Sequence, residues 1–178
     1  MLEIDKLSVW ENMMVGIGIV LANAGQGGFF ARGRIWDTRP VPGYGRPAAE
    51  VAEHILERFG LADYRHRNAQ VLPGGVRKLL DIALTMVAKP RLLLLDEPTS
   101  GVSAQEKFGI MQMVLEAVRA EGATVLFVEH DMEVVSRFAQ RVLAFYDGRI
   151  IADAAPEVAL ADPEVRRHVV GRARAAHA

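Results

Sequence analysis

The run Arg91-Leu92-Leu93-Leu94-Leu95, bounded by Pro90 and by Asp96-Glu97-Pro98, constrains this chain more than any other segment. It has the length of a strand and no alternation of polar residues, which is the pattern of a strand buried on both faces of a parallel sheet. A second run of this kind, Thr124 to Val128, follows a helical stretch, Ala104 to Ala120, that stops at Gly122. Two buried strands joined through a helix define an α/β layer. In open parallel sheets ligands collect at the carboxyl ends of the strands. The residues just past each run are therefore candidates for chemistry: Asp96 and Glu97 after the first, His130 after the second.

The remaining segments read as helices and turns. Ser8 to Leu21 carries Val9, Met13, Met14, Ile17 and Leu21 on one helical face, and Ser8 with Glu11 fits a capping box. Glycines and prolines from Gly25 to Pro47 mark a loop, whose Arg32, Arg34, Arg39 and Arg46 read as a solvated face. Ala48 to Phe59 is an amphipathic helix stopped by Gly60. Leu72-Pro73-Gly74-Gly75 is a breaker, and Val76 to Ala88 is a further helix. Asp131 to Gln140 is helical. Arg141 to Tyr146 and Arg149 to Ala152 are strands joined by Asp147-Gly148, a strong hairpin signal. Asp162-Pro163 opens a short helix, and Arg172 to Ala178 reads as a frayed tail. The expected organisation is a helical region over 1–90, an α/β core over 91–153 and a C-terminal helix and tail over 154–178.

Composition excludes several classes. With 178 residues the chain holds one domain or slightly more, and 51% hydrophobic with 24% charged residues is inconsistent with disorder. Lys plus Arg is 21 and Asp plus Glu is 22, a net charge of −1, which argues against nucleic acid as a partner. No cysteine is present, so disulfides, thiolate metal sites and thiol nucleophiles are excluded. The N-terminus lacks signal-peptide character, and Met13 to Ala24 is too short and too interrupted to span a bilayer. The expectation is a soluble, cytoplasmic protein.

Three sites carry chemistry. Of the adjacent acids, Asp96 suits holding Mg²⁺ through water and Glu97 suits orienting or deprotonating a water; a merely polar strand end is an equal reading of this segment alone. Gly74 and Gly75 at a helix start let backbone N–H groups approach an anion, although for this segment alone an ordinary glycine-rich turn opening a helix is the stronger reading. His130, in Val128-Glu129-His130-Asp131, can reach the sheet edge that carries Asp96 and Glu97, while a surface histidine is the plainer reading. Gly74 lies 22 residues before Asp96, and His130 lies 33 residues after Glu97.

That order and spacing resemble the nucleotide-binding subunit of ATP-binding-cassette (ABC) transporters, a P-loop NTPase fold. Leu72-Pro73-Gly74-Gly75-Val76 is similar to the family's signature motif, Leu92 to Glu97 to its Walker B strand and catalytic carboxylate, Ser100-Gly101-Val102-Ser103 to its D-loop, and His130 to its switch histidine. Leu7 to Asn12 and Asp162 to Val165 resemble segments of branched-chain amino acid, urea and amide importers. The resemblance implies ATP and Mg²⁺ as ligands, with Asp96 on the metal, Glu97 on the attacking water and His130 at the γ-phosphate. Pro73, Gly74, Gly75, Val76, Ser100 and Ser103 would face a partner cassette's nucleotide. It also implies a second cassette and transmembrane permease subunits as partners, contacted around Leu7–Leu21 and Ala48–Phe59. The location would be peripheral, on the inner face of the cell membrane.

Three departures from the family pattern stand out. The four lysines, Lys6, Lys78, Lys89 and Lys107, follow Asp5, Arg77, Ala88 and Glu106, so no G-x-x-x-x-G-K-[ST] phosphate cradle exists in this chain. Pro73 stands where the family has serine and Val76 where it has glutamine, removing polar contacts. Ser103 stands where Asp or Asn is usual. The expectation is the C-terminal part of a cassette, helical signature region plus the later half of the core, inactive alone and left with unpaired edges on the Val128 and Val142 strands. The alternative is a naturally short, non-hydrolysing module that docks on a permease or a complete cassette. A DNA-repair ATPase of the same class is disfavoured by the charge and by the lack of a heptad segment.

Overall fold

The computed structural model describes residues 6–25 and 40–171. The expected loop arginines Arg32, Arg34 and Arg39 and the tail Arg172–Ala178 lie outside the described residues. The coordinates divide into two compact units: one comprises the described residues up to Leu94 with Gly101–Leu126, the other Leu95–Ser100 with the described residues from Phe127 onward.

The first unit is a helical assembly built on α1 (Val9–Asn23), α2 (Ala48–Arg58), α3 (Gly74–Met86) and α4 (Lys107–Ala120). α1 begins on the expected capping box: the Ser8 N–H and hydroxyl donate to Glu11 Oε2, both at 2.8 Å, and the Glu11 N–H donates back to Ser8 Oγ at 3.2 Å. Those two bonds from Ser8 favour the ionised carboxyl and hold Glu11 below the usual carboxylate range. Its apolar face, Val9, Met13, Ile17 and Leu21, is buried with Val51, Ala52 and Leu56 of α2 and Ala83 and Met86 of α3. Met13, Met14 and Met86 contribute to this core, where the unbranched methionine side chain fills irregular gaps.

A loop is fastened to the end of α3. The Lys89 ammonium donates to the Gly43 carbonyl at 2.8 Å and sits 4.0 Å from the centre of the Tyr44 ring. The Tyr44 hydroxyl donates to the Met86 carbonyl at 3.1 Å. Burial, aided by the Glu121 carboxylate, pushes the Tyr44 phenol up to about 12. Glu121 also lies 3.5 Å from Lys89 and 3.6 Å from His54.

β1 (Leu92–Asp96) and β2 (Thr124–Val128) form a two-stranded sheet. The Thr124 N–H donates to the Arg91 carbonyl at the start of both strands, and the Glu97 N–H donates to the Val128 carbonyl at their ends, so the pair is parallel as expected. The expectation of burial on both faces is not met. Leu93 is buried, but Leu92, Leu94 and Leu126 are 53%, 65% and 50% exposed, because no described element covers their side of the sheet.

In the second unit β3 (Val142–Tyr146) pairs antiparallel with β4 (Arg149–Ala154). Asp147 (φ 49°) and Gly148 (φ 74°) make the two-residue turn, and positive φ at both central positions is the signature of a type I′ hairpin. The Arg141 guanidinium grips Asp153 with two 2.6 Å bonds across the hairpin. α5 (Met132–Phe138), α6 (Pro156–Ala161), α7 (Pro163–Val165) and a π-turn (Arg166–Val170) complete the unit. Asp131 and Asp162 cap α5 and α7 through their side chains.

Several boundaries and one element differ from expectation. α3 starts at Gly74 rather than Val76, because Pro73 at ψ 147° supplies the extended N-cap and both glycines join the first turn. α4 starts at Lys107, although the Ser103 carbonyl already accepts the Glu106 and Lys107 N–H groups. α5 ends two residues early, where Ala139 turns extended. α6 was not expected at all: it is only six residues long and opens on Pro156, with no periodicity to reveal it.

Candidate functional site

In the second unit the acids of β1 and the histidine after β2 come together. Glu97 and His130 are both about half exposed, and His130 Nδ1 lies 3.3 Å from Glu97 Oε1. Asp96 is exposed at the last position of β1. The juxtaposition follows from parallel pairing. Equivalent strand ends lie side by side, so residues 33 apart in sequence share one edge.

Glu97 itself adopts φ 44°, the left-handed region that a non-glycine residue enters at a cost. The chain reverses tightly there. The Ser100 N–H donates to the Glu97 carbonyl at 3.0 Å, and Gly101 continues at φ 74°. Thr99 is buried, and its N–H and hydroxyl both donate to Glu129 Oε1, at 3.0 and 2.6 Å. Thr99 and Glu129 were missed as site residues. The available signal was an acidic residue between an apolar strand and His130, which needs a donor when half-buried.

The glycine helix start belongs to the first unit. Pro73 and Gly74 are exposed, Gly75 is buried and Val76 is half-buried. Pro73 caps α3 with no side-chain hydrogen bond, and its carbonyl accepts the Arg77 N–H. The N–H groups of Gly74, Gly75 and Val76 therefore have no acceptor within their helix. A Cβ on Gly75 would meet Ile110 Cδ1 at 2.5 Å, and one on Gly74 would meet the Gly101 carbonyl at 3.2 Å. Ser103 is exposed and its hydroxyl donates to Glu106 Oε2 at 2.7 Å; Ser100 is exposed in the turn after Glu97.

A cavity of about 640 Å³ opens beside His130, bounded by Glu129, Tyr146 and His168. The rings of Tyr146 and His168 stack at 4.1 Å. No cluster of three or more His, Asp or Glu side chains suited to a metal occurs among the described residues. Asp96, exposed at the end of β1, is an oxygen donor of the kind Mg²⁺ accepts, since that ion keeps most of its waters and takes one or two carboxylates. A phosphate cradle has no counterpart in this sequence.

The fold is that of ATP-binding cassettes. The solved structure of MJ1267, an ATP-binding cassette of an ABC transporter, aligns over 98% of this chain and 65% of its own with a TM-score of 0.70 and 25% identity. Residues 3–100, more than half of the chain, match the ABC transporter family, and the chain belongs to that family. Among curated relatives it is 38% identical to the energy-coupling factor transporter ATP-binding protein EcfA of Methanothermobacter thermautotrophicus, over 69% of this chain and 40% of that protein. It is 33% identical to the high-affinity branched-chain amino acid transport ATP-binding protein BraF of Pseudomonas aeruginosa, over 72% of this chain and 50% of that protein. It is 32% identical to LivG of Escherichia coli, a protein of the same description, over 75% and 53%. The chain thus spans about half the length of the curated relatives it matches. ATP-binding subunits of this family are ATPases coupled to transport, and they work as pairs with transmembrane permease components. No helix among the described residues is long and apolar enough to cross a membrane.

Proposed function

We propose that this chain is the signature-helix and later-core portion of the ATP-hydrolysing subunit of an ABC importer for branched-chain amino acids or related amides. It would sit peripherally on the inner face of the cell membrane, against permease subunits and a second cassette. The observation that carries this reading is the approach of Glu97 and His130 across two parallel strand ends. An acid and a histidine on one edge can share the handling of a water proton. Glu97 would accept it at a carboxylate oxygen, and His130 would hold that carboxylate in place through Nδ1. Asp96 would hold Mg²⁺ through water. Gly74, Gly75 and Val76 would present their N–H groups to a nucleotide bound by the partner cassette, with Pro73 contributing shape and no polar contact. Ser100 and Ser103 would line the same interface. The regions 1–90, 91–153 and 154–178 would serve as signature subdomain, core remainder and C-terminal appendage.

On this reading the phosphate cradle would come from residues outside this sequence, and the chain alone would not bind ATP tightly. Reading the genome upstream of Met1 and measuring Mg-ATP binding by calorimetry test this together. An in-frame Gly-Lys-Ser/Thr upstream, with tight binding by the longer product only, is the expected result. A stop codon just upstream, with no longer product, would overturn it and favour the non-hydrolysing docking module. The observation on the side of that second reading is the replacement of serine and glutamine by Pro73 and Val76.

A further inference from the structure

We propose that Glu129 is a positioning residue, which by holding Thr99 sets the turn that aims Glu97 at His130. The proposal rests on the reading of Glu97 and His130 as a working pair. Three consecutive residues, the last of β2 and the two after it, hold two residues of the turn that follows β1, Glu97 and Thr99. The Val128 carbonyl accepts the Glu97 N–H at 2.9 Å. Glu129 Oε1 accepts both donors of Thr99. His130 Nδ1 faces the Glu97 carboxylate at 3.3 Å.

The middle grip differs from the other two. The Val128 bond continues the strand ladder, and any residue at position 128 could make it. The Glu129 bonds are specific to a side-chain acceptor at position 129 and a hydroxyl at position 99. The hydroxyl bond, at 2.6 Å, is the shortest contact in the cluster, and Thr99 is buried to 8% exposure. A bond between a hydroxyl and a carboxylate is charge-assisted, and shorter and stronger than a neutral one. Glu129 Oε2 is buried with no hydrogen-bond partner among the described residues. A carboxylate half satisfied in this way is a poor choice for stability alone. Glu97 supplies the second line of argument. Its φ of 44° is sparsely populated for a residue with a Cβ, and such a conformation persists where the surroundings over-determine it. Thr99, two residues on, is the nearest point at which a side chain anchors that turn.

The test uses the intact 178-residue chain and the imidazole nitrogens of His130, read by long-range proton–nitrogen correlation NMR at alkaline pH. The His130 signal is assigned by its loss in His130→Gln. A neutral imidazole facing a carboxylate through Nδ1 keeps its proton on that nitrogen. The share of the Nδ1–H form is therefore expected to be at least twofold higher in the native chain than in Glu97→Ala. Thr99→Val and Glu129→Ala are expected to fall to the Glu97→Ala level. Thr99→Ser and Glu129→Gln, which keep the donor and the acceptor, are expected to hold the native ratio. If Glu97→Ala lowers the share but Thr99→Val and Glu129→Ala do not, the positioning role is overturned. If Glu97→Ala itself changes nothing, the pairing under the proposed function fails instead. Thr99→Val alters neither charge nor side-chain volume appreciably, so it carries the test even if Glu129→Ala does not fold, as judged by circular dichroism.

Discussion

Two residues show how local geometry and chemistry compete. Glu97 sits at φ 44° and carries a carboxylate 3.3 Å from His130 Nδ1. Asparagine tolerates that backbone region better than glutamate, so Glu97→Asn is expected to raise stability by about 0.5–1 kcal/mol while removing the carboxylate. Urea unfolding checks it, and an unchanged or lower midpoint would show that the turn is not strained. Gly75 is the converse case, a residue whose absent side chain admits Ile110. Gly75→Ala is expected to cost about 1–3 kcal/mol through overpacking, and adding Ile110→Val should recover most of it. No recovery in the double variant would mean that Ile110 is not the source of the cost. Neither feature could be read from the sequence. Positive φ at Glu97 and the approach of Ile110 are products of the turn after β1 and of the packing of α3 on α4.

At the scale of elements, local signals carried most of the information. The capping box at Ser8, the turn at Asp147-Gly148 and the cap at Asp162 all occur where the residue types put them, while Asp131, read as the first residue of a helix, caps it from outside. Each rests on hydrogen bonds within four residues or on backbone freedom, which tertiary context rarely overrides. Ser8→Ala is expected to cost about 1 kcal/mol, measured by thermal unfolding. The pH dependence of this cap has a definite sign. Glu11 has a folded-state value below its unfolded value of 4.5, so its contribution is present above that pH and disappears as pH falls through the folded value. Glu11→Gln should flatten that part of the stability curve, and an unaltered acid limb would show that the cap does not depend on charge. In the hairpin, Gly148→Ala meets no atom within 4 Å, so its expected cost of about 1 kcal/mol is purely conformational. The element boundaries that escaped the sequence, the start of α4 and the whole of α6, are those where short turns blend into helix without a periodic face.

For the molecule as a whole, the exposed sheet face matters most. Leu92, Leu94 and Leu126 in the first unit, and Val128 and Phe145 in the second, are half to two-thirds exposed. Among the described residues β2 pairs only with β1, and β3 only with β4, so each keeps an edge without a strand partner. Apolar strands with open edges are templates for association. The chain is expected to self-associate at micromolar concentration, and Leu94→Lys with Leu126→Lys to reduce it, as read by sedimentation velocity. A strictly monomeric native chain would refute this. Apart from α6, the sequence by itself determined the kinds of element, their order, the hairpin turn, the caps at Ser8 and Asp162, and which residues end the two parallel strands, because each of these depends on neighbours a few residues away. Family membership was equally legible, in the spacing of Gly74, Asp96, Glu97 and His130. Only the tertiary structure decided that Leu92 and Leu94 are bare, that Glu97 takes a left-handed turn, and that Thr99 is bound by Glu129. Burial and cross-strand contact depend on what lies alongside a residue in space, and an apolar run reads the same in sequence whether its second face is covered or open.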